Sequence, residues 1–308
     1  MTVIQNVPRP SSRLSADSAR EVRSPPSQSI LKRFLRRFMK QKLSLFALAF
    51  LIVLCGAAIF APVVAPYDPL AQDLGKVLSA PSWDHWLGTD ELGRDVLSRV
   101  IFASRISLLA AGQAVGIALL IGVPPGLVAG LIGGYTDSLI MRATDALMSF
   151  PPLILAVAII AVLGPSLTNA MVAVGILLSP TFLRLMRGTA MAVAQETYIE
   201  ASRSIGCSQF WILRKHVLPN VVSPLFVQIS VFAGAAMLAE AALSFLGLGA
   251  QPPDSSWGVM VGRGFRYINQ APTLVVFPGL AIALTVLSFY FLGDGLRDSL
   301  GREERSEV

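Results

Sequence analysis

The chain alternates between long, uncharged apolar runs and shorter polar segments. A helix of about 17 to 25 apolar residues, rising 1.5 Å per residue, crosses the roughly 30 Å hydrocarbon core of a membrane. Runs of this kind predict spans at about residues 43–66, 106–132, 138–163, 167–183, 221–245 and 273–292. We therefore predict an all-α integral membrane protein with six transmembrane helices.

The segments outside the spans divide the rest of the chain. Residues 1–29 are rich in Ser, Pro and Arg without apolar periodicity, which predicts a disordered tail. Residues 30–42 interleave Lys and Arg with Leu, Phe and Met, which predicts a basic amphipathic helix on the membrane surface; a plain positive anchor is the simpler alternative. Residues 43–300 then form the six-helix membrane domain, and residues 301–308 form a charged tail.

Composition and charge agree with a membrane protein and set its orientation. Hydrophobic residues make up 54% of the 308 residues, charged residues make up 14%, and the mean hydropathy is +0.63. With six spans, 19 of the 25 Lys and Arg residues lie on the side of the termini and six on the other side. Because basic residues accumulate in the cytoplasm, we expect both termini to be cytoplasmic. The net charge of +6 then reflects membrane orientation rather than a nucleic-acid partner.

Motifs for catalysis or cofactor binding are absent from the sequence. It contains no Gly-x-x-x-x-Gly-Lys-[Ser/Thr] loop for a nucleotide phosphate and no His-Glu-x-x-His or cysteine cluster for a metal. The two histidines, His85 and His216, fall on opposite sides of the membrane in the predicted topology. We therefore expect a non-enzymatic chain that binds no cofactor or metal itself.

Ionisable residues inside the spans are few. Glu240 lies in the fifth span, where a charge costs about 2.5 to 3.5 kcal/mol on the insertion scale. It could line a transport pathway or form a hydrogen bond with a neighbouring helix, and the sequence leaves both open. Arg142 and Asp145 occupy the first turns of the third span, where we expect them to pair or to reach the interface.

The polar segment between the fourth and fifth spans predicts two short helices. Gly206 should take a left-handed conformation that ends the first helix, and Ser208 should cap the second. Phe210, Leu213 and Val217 share one face at helical spacing, and Pro219 should end the second helix. A pair of short polar helices between apolar spans is typical of a segment to which another protein binds.

This segment resembles the EAA loop of ABC importer permeases, which docks into the ATP-hydrolysing subunit. Glu200-Ala-Ser is followed after three residues by Gly206, and after nine more by His216-Val-Leu-Pro219. Ser202 stands where the motif has alanine, and His216 stands where an aliphatic residue is common. The resemblance implies an ATPase-docking site formed by Glu200, Ala201, Ser202, Gly206, Phe210, Trp211, His216, Leu218 and Pro219.

Other stretches are similar to the C-type permease of dipeptide, oligopeptide and nickel ABC importers. They are Trp86-Leu-Gly-Thr-Asp90-Glu-Leu-Gly-Arg94-Asp95, Leu243-Ser-Phe-Leu-Gly247-Leu-Gly-Ala-Gln251-Pro-Pro with Trp257-Gly258, and Gly293-Asp-Gly-Leu-Arg-Asp298. Together with the loop they cover about residues 30 to 300 in matching order.

The resemblance implies a type I ABC importer permease fold in the bacterial cytoplasmic (inner) membrane. The chain would be one permease of a binding-protein-dependent importer that moves peptides or similar small solutes by alternating access. Expected partners are a homologous second permease, one or two cytoplasmic ATPase subunits that use ATP and magnesium, and an external solute-binding protein.

An ion-gradient-driven secondary transporter is the alternative. Such proteins typically carry paired discontinuous helices and coupling carboxylates near the membrane midplane, for which only Glu240 is a candidate here. The substrate stays open between dipeptides, longer peptides, glutathione and nickel chelates.

Overall fold

The computed structural model describes residues 30–300, and these residues fold into helices joined by loops. The predicted tails at residues 1–29 and 301–308 lie outside the described residues. In chain order the helices are α1 (Ile30–Phe38), α2 (Lys42–Ile59), α3 (Ala61–Val64), α4 (Val96–Ile132), α5 (Gly134–Met148), α6 (Pro152–Leu163), α7 (Leu167–Ala194), α8 (Thr197–Ser204), α9 (Gln209–Ile212), α10 (Leu218–Phe245), α11 (Trp257–Gly264) and α12 (Thr273–Leu300).

Within residues 30–300, five helices are long and apolar enough to cross a membrane. They are α2, α4, α7, α12 and the continuous helical stretch Gln209–Phe245, which contains α9 and α10. A sixth crossing is formed if the bent pair α5 and α6 counts as one span. The six predicted crossings therefore each correspond to a helix or a helix pair.

The third span is not the single helix that we predicted for residues 138–163. The chain breaks between Met148 and Pro152, and α5 and α6 meet at a bend of 89°. Pro151 and Pro152 explain the break, because a proline disfavours the helical conformation of the residue before it and lacks the N–H that a continuing helix needs.

Several helices extend beyond their apolar runs. Helix α4 begins at Val96, ten residues before the predicted boundary, because the Asp95 side chain caps it. Asp95 Oδ2 accepts hydrogen bonds from the Ser98 backbone N–H at 2.8 Å and from the Ser98 hydroxyl at 2.7 Å. Helices α7 and α12 continue to Ala194 and Leu300. Hydrophobicity marks the part of a helix inside the membrane, whereas local capping sets its ends.

Helices α4 and α7 form the closest pair in the fold. Gly122, Gly126 and Gly130 recur every fourth residue of α4, so they lie on one face. A Cβ atom at each of these glycines would lie 2.5 Å from a carbonyl oxygen of α7, those of Ser179, Leu183 and Arg187 respectively. The two backbones therefore touch along three turns, as small residues allow in membrane helices.

The loop before α4 and helix α11 are both fastened to the first turns of α4. Asp90 accepts from the Arg94 Nε at 2.7 Å and lies 3.4 Å from the Arg99 Nε, and all three side chains are buried. The indole of Trp257, the first residue of α11, is fully buried and donates from Nε1 to the Val100 carbonyl at 2.9 Å. The loop before α4 and the short helix α11 thus form one cap over the amino-terminal end of α4.

The glycine contacts between α4 and α7 can be tested with single methyl groups. We expect Gly126→Ala to lower the free energy of unfolding by about 1 to 3 kcal/mol, because the new Cβ meets the Leu183 carbonyl. Gly116→Ala is the matched control in the same helix: nothing lies within 4 Å of its Cβ position, so helix propensity should make it neutral or slightly stabilising. Thermal unfolding of both variants in detergent checks the difference, and equal midpoints would contradict the packing.

Candidate functional site

The segment between α7 and α10 folds into two short helices around a glycine hinge. Helix α8 ends at Ser204, and Gly206 follows with φ of +84°. The Gly206 N–H donates to the Arg203 carbonyl at 3.0 Å, and the Cys207 N–H donates to the Ser202 carbonyl at 3.0 Å. This pair of bonds is a Schellman motif, which ends the helix as the sequence predicts.

The second helix begins as predicted but does not end as predicted. Ser208 Oγ accepts from the Trp211 N–H at 3.2 Å and caps α9. A wide π turn over Leu213–Val217 then leads directly into α10. Pro219, which we expected to stop the helix, lies in the first turn of α10. A proline is accepted there because it directly follows the π turn, where the regular i→i−4 hydrogen-bond pattern is already interrupted.

The inner face of this segment is formed by Ile199, Ile212 and Val217, each with 0% exposure. They pack in one apolar cluster with the carboxyl-terminal ends of α4 and α7, which contribute Leu127, Leu131, Met186, Ala190 and Val193. The predicted face was wrong for Phe210, which is 72% exposed. In helices this short, contacts with the neighbouring helices outweigh the internal periodicity.

The outer surface carries most of the residues implied by the EAA resemblance. Glu200, Ala201, Gly206, Leu218 and Pro219 are exposed together with Phe210 and Trp211. His216 is half-buried between the rings of Tyr198 and Trp211, with ring centroids 5.3 and 5.1 Å away. The hydroxyl of Ser202 donates to the Tyr198 carbonyl at 2.7 Å and is therefore used within α8.

Two ion pairs fix the bent third span beside this segment. Arg187 of α7 binds both carboxylate oxygens of Asp137 in α5, the second at 2.6 Å. Arg184 donates to Asp145 Oδ1 at 2.7 Å. Asp145 therefore pairs, as expected for a charge in the first turns of this span. The Asp137–Arg187 pair was not predicted, because its partners lie 50 residues apart along the chain.

Glu240 lies apart from this segment, inside the protein near the carboxyl-terminal end of α10. Its side chain is 1% exposed, and Oε1 accepts from the Ser244 hydroxyl at 2.6 Å. The hydroxyls of Ser107 and Ser256 also border the carboxylate. Ser256 Oγ caps α11 by accepting from the Val259 N–H at 3.3 Å. Glu240 therefore lies where α4, α10 and the start of α11 meet, and in this conformation the chain's own helices enclose it.

The described residues contain no group of three or more His, Cys, Asp and Glu side chains that could hold a metal ion. His85 instead pairs through Nδ1 with Asp95 Oδ1 at 3.0 Å. Its ring also packs against Tyr67, with centroids 4.9 Å apart. His85 thus links Asp95, the N-cap residue of α4, to Tyr67 in the loop before α4.

Comparisons with known proteins agree with the sequence resemblance. The family model described as "Binding-protein-dependent transport system inner membrane component" matches residues 122–306. A second model, "N-terminal TM domain of oligopeptide transport permease C", matches residues 29–81.

Curated relatives match over most of the chain. The glutathione transport system permease protein GsiD of Pectobacterium atrosepticum is 43% identical over 276 residues, covering 89% of this chain and 92% of the relative. The protein of the same name from Escherichia coli O6:K15:H31 is 47% identical over 268 residues, covering 87% and 88%.

Solved structures of the MetNI methionine ABC transporter in inward-facing conformations share the fold. One has a TM-score of 0.51 at 20% identity and covers 66% of this chain and 93% of its own. Another has a TM-score of 0.52 at 19% identity and covers 69% and 97%.

Two variants of Glu240 test whether its role is structural. Glu240→Gln keeps the volume and an oxygen that accepts from Ser244, so we expect unchanged thermal stability. Glu240→Leu should lower the free energy of unfolding by about 1 to 3 kcal/mol, because buried hydroxyls lose their acceptor. Thermal unfolding in detergent measures both. A Gln variant that is as stable as the wild type but inactive would instead assign the negative charge to the transport pathway.

Gly206 provides a test of the hinge itself. Nothing lies within 4 Å of its Cβ position, so Gly206→Val adds no clash and only forces a β-branched residue into the left-handed region. We expect a local cost of about 1 to 2 kcal/mol and faster amide hydrogen exchange in α8 and α9. Gly206→Asn, which tolerates this conformation, should exchange more slowly than the Val variant. Equal exchange in the wild type and the Val variant would refute the hinge.

Proposed function

This chain belongs to the inner-membrane components of binding-protein-dependent transport systems, and from that premise we propose that it imports short peptides such as glutathione. It is a permease subunit of an ABC importer, and the ion-driven alternative is not retained. The observation that carries the proposed substrate is the identity of 43 to 47% with glutathione transport permeases over nearly the whole chain. Dipeptides are the second candidate, since the oligopeptide permease model matches the amino-terminal part.

The family name itself implies a solute-binding protein, and an ABC importer also requires an ATPase. We propose that the full assembly contains a homologous second permease and one or two cytoplasmic ATPase subunits, which bind ATP and magnesium. This chain would bind neither and catalyse no reaction. Both termini and the Glu200–Pro219 segment would face the cytoplasm, as the distribution of 19 of 25 basic residues favours.

The Glu200–Pro219 segment is the proposed docking site for the ATPase. Its support is the division of its side chains: Ile199, Ile212 and Val217 are buried against the membrane domain, while Phe210 and Trp211 are exposed. An exposed Phe beside an exposed Trp on a rigid short helix is typical of an interface anchor. Glu200 of α8 is also exposed and adds a negative charge to the segment.

This arrangement supports a lever mechanism. When the ATPase subunits close on ATP, they move the docked segment. The buried face passes that movement to the cytoplasmic ends of α4 and α7, and the continuous helix from Gln209 passes it to α10. The spans can then rotate as packed bodies and exchange inward for outward access.

Reconstitution tests the proposed function. The chain is co-expressed with its genomic neighbours, purified through a tag on this subunit, and its partners are identified by mass spectrometry. In proteoliposomes supplied with the binding protein, we expect uptake of radiolabelled glutathione that needs ATP hydrolysis. Uptake of dipeptide alone would change the substrate, and uptake that persists without the ATPase would refute the assembly.

Phe210→Ala tests the docking site. Removing a ring that is buried on docking should cost about 1.5 to 3 kcal/mol, so we expect the affinity for the ATPase to fall by roughly 10- to 100-fold. Membrane insertion should not change, because the ring is exposed in the free chain. Tyr135→Ala is the matched control, because this aromatic residue is 84% exposed at the turn between α4 and α5. Equal ATPase retention in both variants would place the docking site elsewhere.

A further inference from the structure

Two cavities meet at the external end of α4. The upper chamber has a volume of about 840 Å³ and contains four charged side chains, Asp68, Arg99, Arg105 and Asp254. The lower groove has a volume of about 650 Å³ and lies between α2 and α4. Its lining is mainly apolar and includes Ile59, Leu108 and Gly112. Both cavities are bordered by Arg105 and Leu109, so a chamber that carries charged side chains leads into an apolar groove.

The sequence of α4 places this junction at the membrane surface. Helix α4 has 37 residues and is therefore about 55 Å long, well beyond the roughly 30 Å hydrocarbon core. Its uncharged stretch begins at Ile106, immediately after Arg105. Arg105 therefore lies at the level of the lipid headgroups, and Leu108 and Gly112 lie one and two turns deeper, at the level of the acyl chains.

The charges of the chamber are suited to a zwitterion. Arg99 is buried and lies 3.4 Å from Asp90. Arg105 is exposed and forms no ion pair with any of the residues 30–300. Asp68 and Asp254 border the same chamber and are also exposed. An arginine at the headgroup level can bind a phosphate, and the nearby carboxylates can bind an ammonium group.

We propose that the chamber and groove bind one phospholipid of the external leaflet with an amine-bearing, zwitterionic headgroup. Its phosphate pairs with Arg105, its ammonium group faces Asp68 and Asp254, and an acyl chain lies in the groove past Leu109 and Gly112. A transported peptide would match the chamber's charges but would leave the apolar groove empty. The bound lipid would fill the space between α2 and α4. It would thereby keep α2, the first span, packed beside α4 while the rest of the domain moves.

Two variants test the two halves of the site. Arg105→Gln removes the phosphate partner. Gly112→Leu fills the groove, and nothing lies within 4 Å of the Cβ position at Gly112, so the side chain enters without a clash in the protein. Controls are Arg266→Gln, an exposed external arginine, and Gly279→Leu, a membrane glycine with equally open space.

The readout is native mass spectrometry of the purified complex after exchange into mixed micelles of phosphatidylethanolamine and phosphatidylglycerol. We expect the wild type and both controls to retain one phosphatidylethanolamine, and each test variant to lose it by at least threefold. Retention that neither test variant changes would overturn the site, as would a preference for phosphatidylglycerol. If only the KM for the transported peptide rises in Arg105→Gln while lipid retention stays constant, the chamber belongs to the solute and the proposal fails.

Discussion

The fold depends on the direct backbone contact between α4 and α7. At Gly122, Gly126 and Gly130 there is no room for a side chain, because each glycine faces a carbonyl of α7 at 2.5 Å from its Cβ position. The contact lets α4 serve as the common support for everything else. Its carboxyl-terminal end holds the Ile199 cluster through Leu127 and Leu131, and its amino-terminal end holds the cap. A small-residue interface of this kind gains its stability from dispersion contacts between surfaces that fit closely.

The features that the sequence predicted well are local ones. Long apolar runs predicted six crossings, because membrane thickness fixes the length of a span. Five of them are helices in the structure, and the sixth is the bent pair α5 and α6 if that pair counts as one span. The hinge at Gly206 and the cap at Ser208 were predicted correctly because each depends on residues within four positions along the chain. The family was likewise recognisable from the resemblance of several short stretches, and the comparisons show that family.

The features that the sequence could not predict depend on distant partners. Phe210 and Ile212 are both large and apolar, and only the position of α4 and α7 decides that Ile212 is buried and Phe210 exposed. The 89° bend after Met148 has a local cause in Pro151 and Pro152, but the Asp137–Arg187 pair that ties α5 to α7 joins residues 50 positions apart. Glu240 was ambiguous for the same reason, since the serines beside it come from three separate helical segments.

The prolines of α4 explain why the contact with α7 matters for transport as well as for stability. Pro124 and Pro125 lack backbone N–H groups, so two carbonyls one turn earlier lose their helical partners and α4 is weakened there. Gly122 lies before these prolines and Gly126 lies after them, so α4 packs directly against α7 on both sides of the prolines. Packing against α7 therefore supports α4 at the point where α4 would otherwise bend. A movement passed to Leu127 and Leu131 by the proposed docking segment would then reach the cap at the other end of α4 as a displacement of the paired helices, instead of being absorbed by a kink in the middle of α4.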